Sequence, residues 1–293
     1  MVKVKGSGFS LPDTPLVPYP SGSLVPERDV DYMPVLEARH LGIDFGGLTA
    51  VDDFSLTIGR TEIAGLIGPN GAGKTTVFNL LTSVYQPTRG SVLISGIPTA
   101  GKSTYQVSQM GIARTFQNIR LYNNLSVLDN VKVGMHSGIR ENLAAAITHG
   151  FGFRKAEKQA EQAAMEMLDF FSLADLAQAP AGSLPYGAQR RLEIVRALAS
   201  GPLILLLDEP AAGMNPSETL ELMENIRRIR DTFQIAILLI EHDMNLVMGI
   251  CEGICVLNYG KVIAKGSPAD IKANPTVIEA YLGKKGAKDD AEG

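Results

Sequence analysis

The chain has 293 residues, 27 Lys and Arg against 31 Asp and Glu for a net charge of −4, and 45% hydrophobic residues. That length suits one large domain or a domain with a subdomain, and that hydrophobic content excludes a wholly disordered chain. The mild acidity argues against a protein that coats nucleic acid, and no run reaches the ~18 consecutive apolar residues of a membrane-spanning helix, so the chain forms no pore alone. Met1 to Gly8 lacks the apolar core of a secretory signal, which points to a cytoplasmic chain.

Residues 1–34 hold Pro12, Pro15, Pro18, Pro20, Pro26 and Pro34, six of the 16 prolines. Proline at this density defeats both helix and sheet, so an extended or disordered leader is expected here. From Val35 strands and helices alternate. Phe54–Ile58 and Glu62–Ile67 read as strands, Lys74–Thr82 as a helix and Ser91–Ile94 as a strand. Between about Leu125 and Ala179 helix dominates, with Ala156, Ala160, Ala163, Ala164, Met167, Leu168 and Phe171 at helical spacing. Strand and helix then alternate again. Leu203–Leu207 and Ile235–Ile240 are continuous apolar runs, as expected of parallel strands covered on both faces. Cys251 and Cys255 are too few for a disulfide framework or a zinc site and read as buried free thiols.

The strand Glu62–Ile67 runs into Gly68-Pro69-Asn70-Gly71-Ala72-Gly73-Lys74-Thr75-Thr76, which fits G-x-x-x-x-G-K-[ST]. Glycines let the backbone curl so that successive N–H groups face phosphate oxygens, and the helix that follows adds its positive end. Lys74 is placed to bridge β- and γ-phosphates, and the Thr75 hydroxyl to meet Mg²⁺.

Asp208 and Glu209 follow the apolar strand at Leu203–Leu207, at the strand end where open parallel sheets bind ligands. Asp208 is expected to orient Mg²⁺ through water, and Glu209 to act as general base for an attacking water. His242 follows the strand at Ile235–Ile240 and falls at the same sheet edge, where its imidazole could hold the base or the water.

With these elements in order, residues 35–283 resemble the ATP-binding cassette ATPases. The resemblance implies an α/β phosphate-loop core with a mixed, mainly parallel sheet, an antiparallel β edge and a helical subdomain at about 118–188, before a polar tail at 284–293. It implies that Gln117, in Arg114-Thr115-Phe116-Gln117-Asn118, contacts Mg²⁺ and the nucleophilic water. Phe45 takes the place of the aromatic that stacks on adenine, with Val51 also at the nucleotide. Leu184-Pro185-Tyr186-Gly187-Ala188-Gln189 takes the place of the signature motif, which completes the ATP site of a second cassette paired head to tail. Its helix is expected to begin near Gln189. Pro185 replaces the usual serine and lacks both hydroxyl and N–H. Asn215 stands where many relatives carry Asp.

Four stretches are similar to the ATP-binding subunits of branched-chain amino-acid importers: Phe45 to Val51, Arg114 to Tyr122, Glu209 to Pro216 and Asn274 to Gly283. The stretch from about Gly134 to Arg154 resembles that subgroup's longer helical insertion. This likeness implies ATP and Mg²⁺ as cofactors and a cytoplasmic chain lying on the inner face of the cell membrane. Its expected partners are an identical or sister cassette, two integral membrane permease subunits and, indirectly, an extracytoplasmic binding protein, with no nucleic acid. Two other readings compete. One is a cassette acting on DNA or ribosomes, which usually has two cassettes per chain or a long coiled coil. The other is a non-hydrolysing regulatory cassette, for which Pro185 argues mildly and Lys74, Glu209 and His242 argue against.

Overall fold

A computed structural model of the chain describes residues 34–136 and 151–286. The leader before Pro34, most of the Gly134–Arg154 stretch and the end of the polar tail lie outside the described residues. The described residues fall into two compact units. One is Ala113–Pro202; the other takes in the residues up to Ile112 and from Leu203 onward. The span 118–188 lies within the first of these.

The second unit holds a four-stranded sheet and, apart from Ala113 and Arg114 of its edge strand, a six-stranded one. In the larger, the strand order is β10-β9-β3-β8-β7-β6, with β3 Ile63–Ile67, β6 Ile112–Arg114, β7 Ile204–Asp208, β8 Ala236–Ile240, β9 Gly253–Asn258 and β10 Lys261–Gly266. Every residue of β3, β7 and β8 is buried, which is why these strands read as unbroken apolar runs. Their parallel register decides the chemistry. Leu66 of β3 and Asp208 of β7 both pair with Ile240 of β8, so the three strands end level and whatever follows each is delivered to one edge.

That sheet has an antiparallel edge, where β10 pairs with β9, and a second sheet, wholly antiparallel, runs in the order β2-β1-β4-β5. It comprises β1 Leu36–Phe45, β2 Leu48–Ile58, β4 Arg89–Ile94 and the short β5 Ile97–Pro98. Leu36, Phe54 and Leu56 from this sheet, Val77 and Phe78 from helix α1 Lys74–Leu81, Val107 from helix α2 Thr104–Gln109, and Leu206 and Leu238 from the parallel sheet form one core. Burial of this kind contributes ~1.5–3 kcal/mol per large side chain.

The hairpin β9–β10 turns on Tyr259 (φ 46°) and Gly260 (φ 76°), two left-handed residues as a two-residue hairpin turn requires. The Gly260 N–H donates to the Ala72 carbonyl at 2.9 Å, and its carbonyl accepts from the Asp52 N–H at 2.9 Å. The hairpin thus braces the phosphate loop from one side. Cys251 and Cys255 are free and buried. Burial pushes both thiols up, Cys255 to about 12. Neither is expected to react with an alkylating reagent near pH ~8 while the chain is folded, since the thiolate is the reactive form. Mass spectrometry before and after denaturation checks this; an adduct on the folded chain would contradict the burial.

The first unit is helical, with α3 Val127–His136, α4 Phe151–Phe170 and α5 Tyr186–Leu198. Ala164 and Leu168 of α4 and Phe171 just past it are buried, with Ala160, Ala163 and Met167 half-buried beside them. That is the helical stripe the spacing predicts.

Candidate functional site

The phosphate loop connects β3 to α1. A Cβ at Gly68 would collide with the Leu257 carbonyl oxygen, so only glycine lets the loop leave β3 this close to β9. Gly73 caps α1 with φ 103°, a conformation that L side chains rarely adopt. The Ala72 methyl is buried, and the Ala72 N–H donates to the Pro69 carbonyl at 3.1 Å. Asn70, Gly71 and Thr75 are exposed and Thr76 is half-buried.

Lys74 is 94% buried and folds back on its own loop. Its Nζ donates to the Gly68 carbonyl at 2.6 Å and the Pro69 carbonyl at 2.9 Å. Desolvation lowers its pKa from the ordinary lysine value, while the charges of Glu209 and Asp208 pull the other way. A buried cation beside two carboxylates, an exposed glycine turn, a helix N-terminus and an exposed threonine hydroxyl suit a magnesium-bound polyphosphate.

Asp208, the last residue of β7, is buried. Glu209 follows with φ 47°, a strained value for a residue with a side chain. The Glu209 N–H donates to the Ile240 carbonyl at 2.9 Å, which carries the ladder one step past the strand. His242 Nε2 lies 2.6 Å from Glu209 Oε1. Glu209 and His242 therefore meet at the sheet edge they share with Lys74.

Phe45 is 44% exposed at the end of β1, edge-on to Tyr85 at 5.3 Å between ring centroids. Tyr85 was not among the sequence candidates; it lies beyond α1, and no local pattern ties it to Phe45. Val51 is turned inward. Its side chain is fully buried in the core, so it supports the hairpin behind Phe45 and offers a ligand no surface in this state.

Asn215 caps α6 Pro216–Phe233, accepting from the N–H groups of Ser217 and Glu218 at 3.0 Å, while the Glu218 carboxylate accepts from the Asn215 N–H. Asn and Asp are near equal as N-caps, which accounts structurally for the change from Asp.

In the helical unit, α5 begins at Tyr186, three residues before the expected Gln189. Pro185 is its N-cap, with extended backbone and no side-chain bond to the helix. An N-cap needs no N–H of its own for the helix, so proline is tolerated there. Tyr186 is 48% exposed and Leu184 and Ala188 are buried, while the Gln189 amide donates to the Leu184 carbonyl at 2.8 Å. Gln117 is exposed in the loop before α3.

That loop is held by a pair the sequence reading passed over. Arg190 and Glu193, both buried on α5, meet at 2.8 Å. Arg190 also donates to the Phe116 carbonyl at 2.6 Å, and Glu193 accepts from the N–H groups of Phe116 and Arg120 at 3.4 and 3.2 Å. Gln117 lies between those anchors. Glu193→Ala is expected to destabilise the chain by ~3–5 kcal/mol, because it leaves the Arg190 charge buried without its acid. Arg190→Met with Glu193→Leu should recover most of that loss. Denaturant unfolding of the three chains decides it; an equal loss in the double variant would show that backbone anchoring, not charge, is what the pair supplies.

The fold and site define a phosphate-loop nucleoside triphosphatase with a helical unit inserted in its α/β core. A family model described as ABC transporter matches residues 51–212, and one described as Branched-chain amino acid ATP-binding cassette transporter matches residues 261–287. The chain is 44% identical over 251 residues to the high-affinity branched-chain amino acid transport ATP-binding protein BraF of Pseudomonas aeruginosa, covering 86% of this chain and 98% of that protein. It is 46% identical, with the same coverage, to the corresponding protein LivG of Escherichia coli. A solved nucleotide-free ATP-binding cassette from an ABC transporter superposes with a TM-score of 0.74 at 27% identity, over 86% of this chain and all of that one. The ADP conformation of the cassette MJ1267 does so with the same score and coverage at 28% identity. The chain belongs to the ABC transporter family and is an ATPase of that family. No helix among the described residues is long and apolar enough to cross a membrane.

Proposed function

We propose that this chain is the ATP-hydrolysing subunit of an importer for branched-chain or related small amino acids. It would lie on the inner face of the cell membrane beneath two permease subunits, served by an extracytoplasmic binding protein. The observation that carries the hydrolytic part is the 2.6 Å contact between Glu209 and His242 beside Lys74. It speaks against a regulatory cassette that has lost its chemistry. The names of BraF and LivG and the match at residues 261–287 support the solute class.

In this reading the loop N–H groups, Lys74 and the start of α1 bind the triphosphate. Glu209 accepts the proton of the attacking water. His242 orients that carboxylate and adds a hydrogen bond where negative charge develops on the γ-phosphate. Magnesium would be held by Thr75, Asp208 and Gln117 and, when bound, offsets charge between the β- and γ-phosphates. The face at 184–189 acts on the nucleotide of a second cassette, identical or sister, paired head to tail, so that cleavage of ATP releases the pair.

Deleting the chain from its cell should abolish high-affinity uptake of radiolabelled leucine, isoleucine and valine. Unchanged uptake of these, with loss of urea or short-amide uptake instead, would reassign the solute. Pro185→Ser adds a capping hydroxyl to α5 and is expected to stabilise the chain by ~0.5–2 kcal/mol. If a hydroxyl also reaches phosphate, ATP-driven pairing will tighten; unchanged pairing in sedimentation would show that backbone contacts suffice.

A further inference from the structure

Glu241 is not needed by the mechanism above, yet it is 97% buried at the centre of the site. It sits between the end of β8 and His242. Its Oε1 accepts from the Ala211 N–H at 2.7 Å. Its Oε2 accepts from the His242 N–H at 2.9 Å and the Asp243 N–H at 3.4 Å. One carboxylate therefore spans two loops: the turn that leaves Glu209, and the turn that carries His242. A buried carboxylate is costly unless its oxygens are hydrogen-bonded, and here both are, by backbone from each side.

We infer that Glu241 is a positioning residue for hydrolysis, fixing the distance at which His242 meets Glu209. This rests on the proposed roles of Glu209 and His242. The geometry leaves little slack. The Glu209 N–H is tied to the Ile240 carbonyl, and the Ala211 N–H is tied to Glu241, so the last residue of β8 and the residue just past it hold alternate residues of the loop after β7. The switch from Ile240 to Glu241 hands the loop from a backbone acceptor to a side-chain acceptor. The same side chain then sets the backbone of His242, whose ring reaches back to Glu209. A neutral amide cannot replace it. Glutamine has one acceptor oxygen, so its NH₂ must face backbone N–H donors on one side or the other.

The test uses the purified full chain and single-turnover hydrolysis of radiolabelled MgATP. Glu241→Gln is expected to lower the hydrolysis rate about tenfold or more while ATP affinity stays within about twofold. Glu241→Asp, which keeps the charge and shortens the reach, should fall between. The decisive comparison is a double-mutant cycle with His242→Ala. If Glu241 acts through His242, adding Glu241→Gln to His242→Ala should cost no more than about twofold further. The same fold-loss in both backgrounds would mean Glu241 merely supports the fold, and a wild-type rate in Glu241→Gln would overturn its role outright. Glu209→Gln run alongside separates the two layers. Full hydrolysis in that variant would remove the reading on which the inference rests. Loss there with a normal Glu241→Gln chain would remove only the inference.

Discussion

Glu209→Gln is expected to lower ATP turnover by a factor of ~10²–10⁴, the usual contribution of a general base, while nucleotide remains bound. The substitution is nearly isosteric. The glutamine amide can still meet His242, and the backbone tie from residue 209 to the Ile240 carbonyl is unaffected by the side chain. What goes is the site's capacity to take a proton from water. Phosphate release and retained nucleotide, measured on the same sample, check both halves. Turnover close to wild type would remove Glu209 as the base and leave Asp208 or His242 to be tested.

Lys74→Ala is expected to act on binding instead. Charge-assisted hydrogen bonds contribute ~1.5–3 kcal/mol each, so ATP affinity should fall by a factor of ~10–150 for the loss of one. The loop itself should also loosen, because the Gly68 and Pro69 carbonyls lose the ammonium that ties them. A pH signature accompanies this. Burial lowers the pKa of Lys74 in the free chain, and bound phosphate favours the ammonium form, so binding raises that pKa. Below the free-chain pKa the ammonium is present either way and affinity is flat. Between the free and bound values binding must take up a proton, so affinity weakens as pH rises. That alkaline weakening should be absent in Lys74→Ala. Calorimetric titration with ATP across neutral to alkaline pH measures it, and wild-type affinity in the variant would contradict the assignment.

Local chemistry made much of this site legible. The phosphate loop is contiguous, and β3, β7 and β8 announce themselves because strands buried on both faces have no polar alternation to confuse the reading. Level strand ends are a property of register, which no single strand encodes; Leu66, Ile240 and Asp208 line up only once the sheet is assembled. Glu241 was hidden for that reason. A lone acid after an apolar run reads as a solvated turn residue until Ala211 is found beside it. Nothing in the local sequence marks Arg190 and Glu193, because their role depends on burial against Phe116 and Arg120, some seventy residues away in the chain. The helix α5 starts at Tyr186 and not near Gln189, because Pro185 serves as its N-cap, where a missing N–H costs nothing. The resemblance puts Val51 at the nucleotide, whereas its place in β2 opposite Ile43 turns its side chain to the core. The hairpin at Tyr259-Gly260 escaped because tyrosine is an unusual first residue for a turn with two left-handed positions.

In the proposed function ATP grips two cassettes, and its cleavage lets them go. Sedimentation velocity of the Glu209→Gln chain, alone and mixed with whichever cassette co-purifies with it, measures this directly. With MgATP the protein should sediment as a pair, and without nucleotide as a single 31.3 kDa chain. A single chain under saturating MgATP in both samples would contradict it.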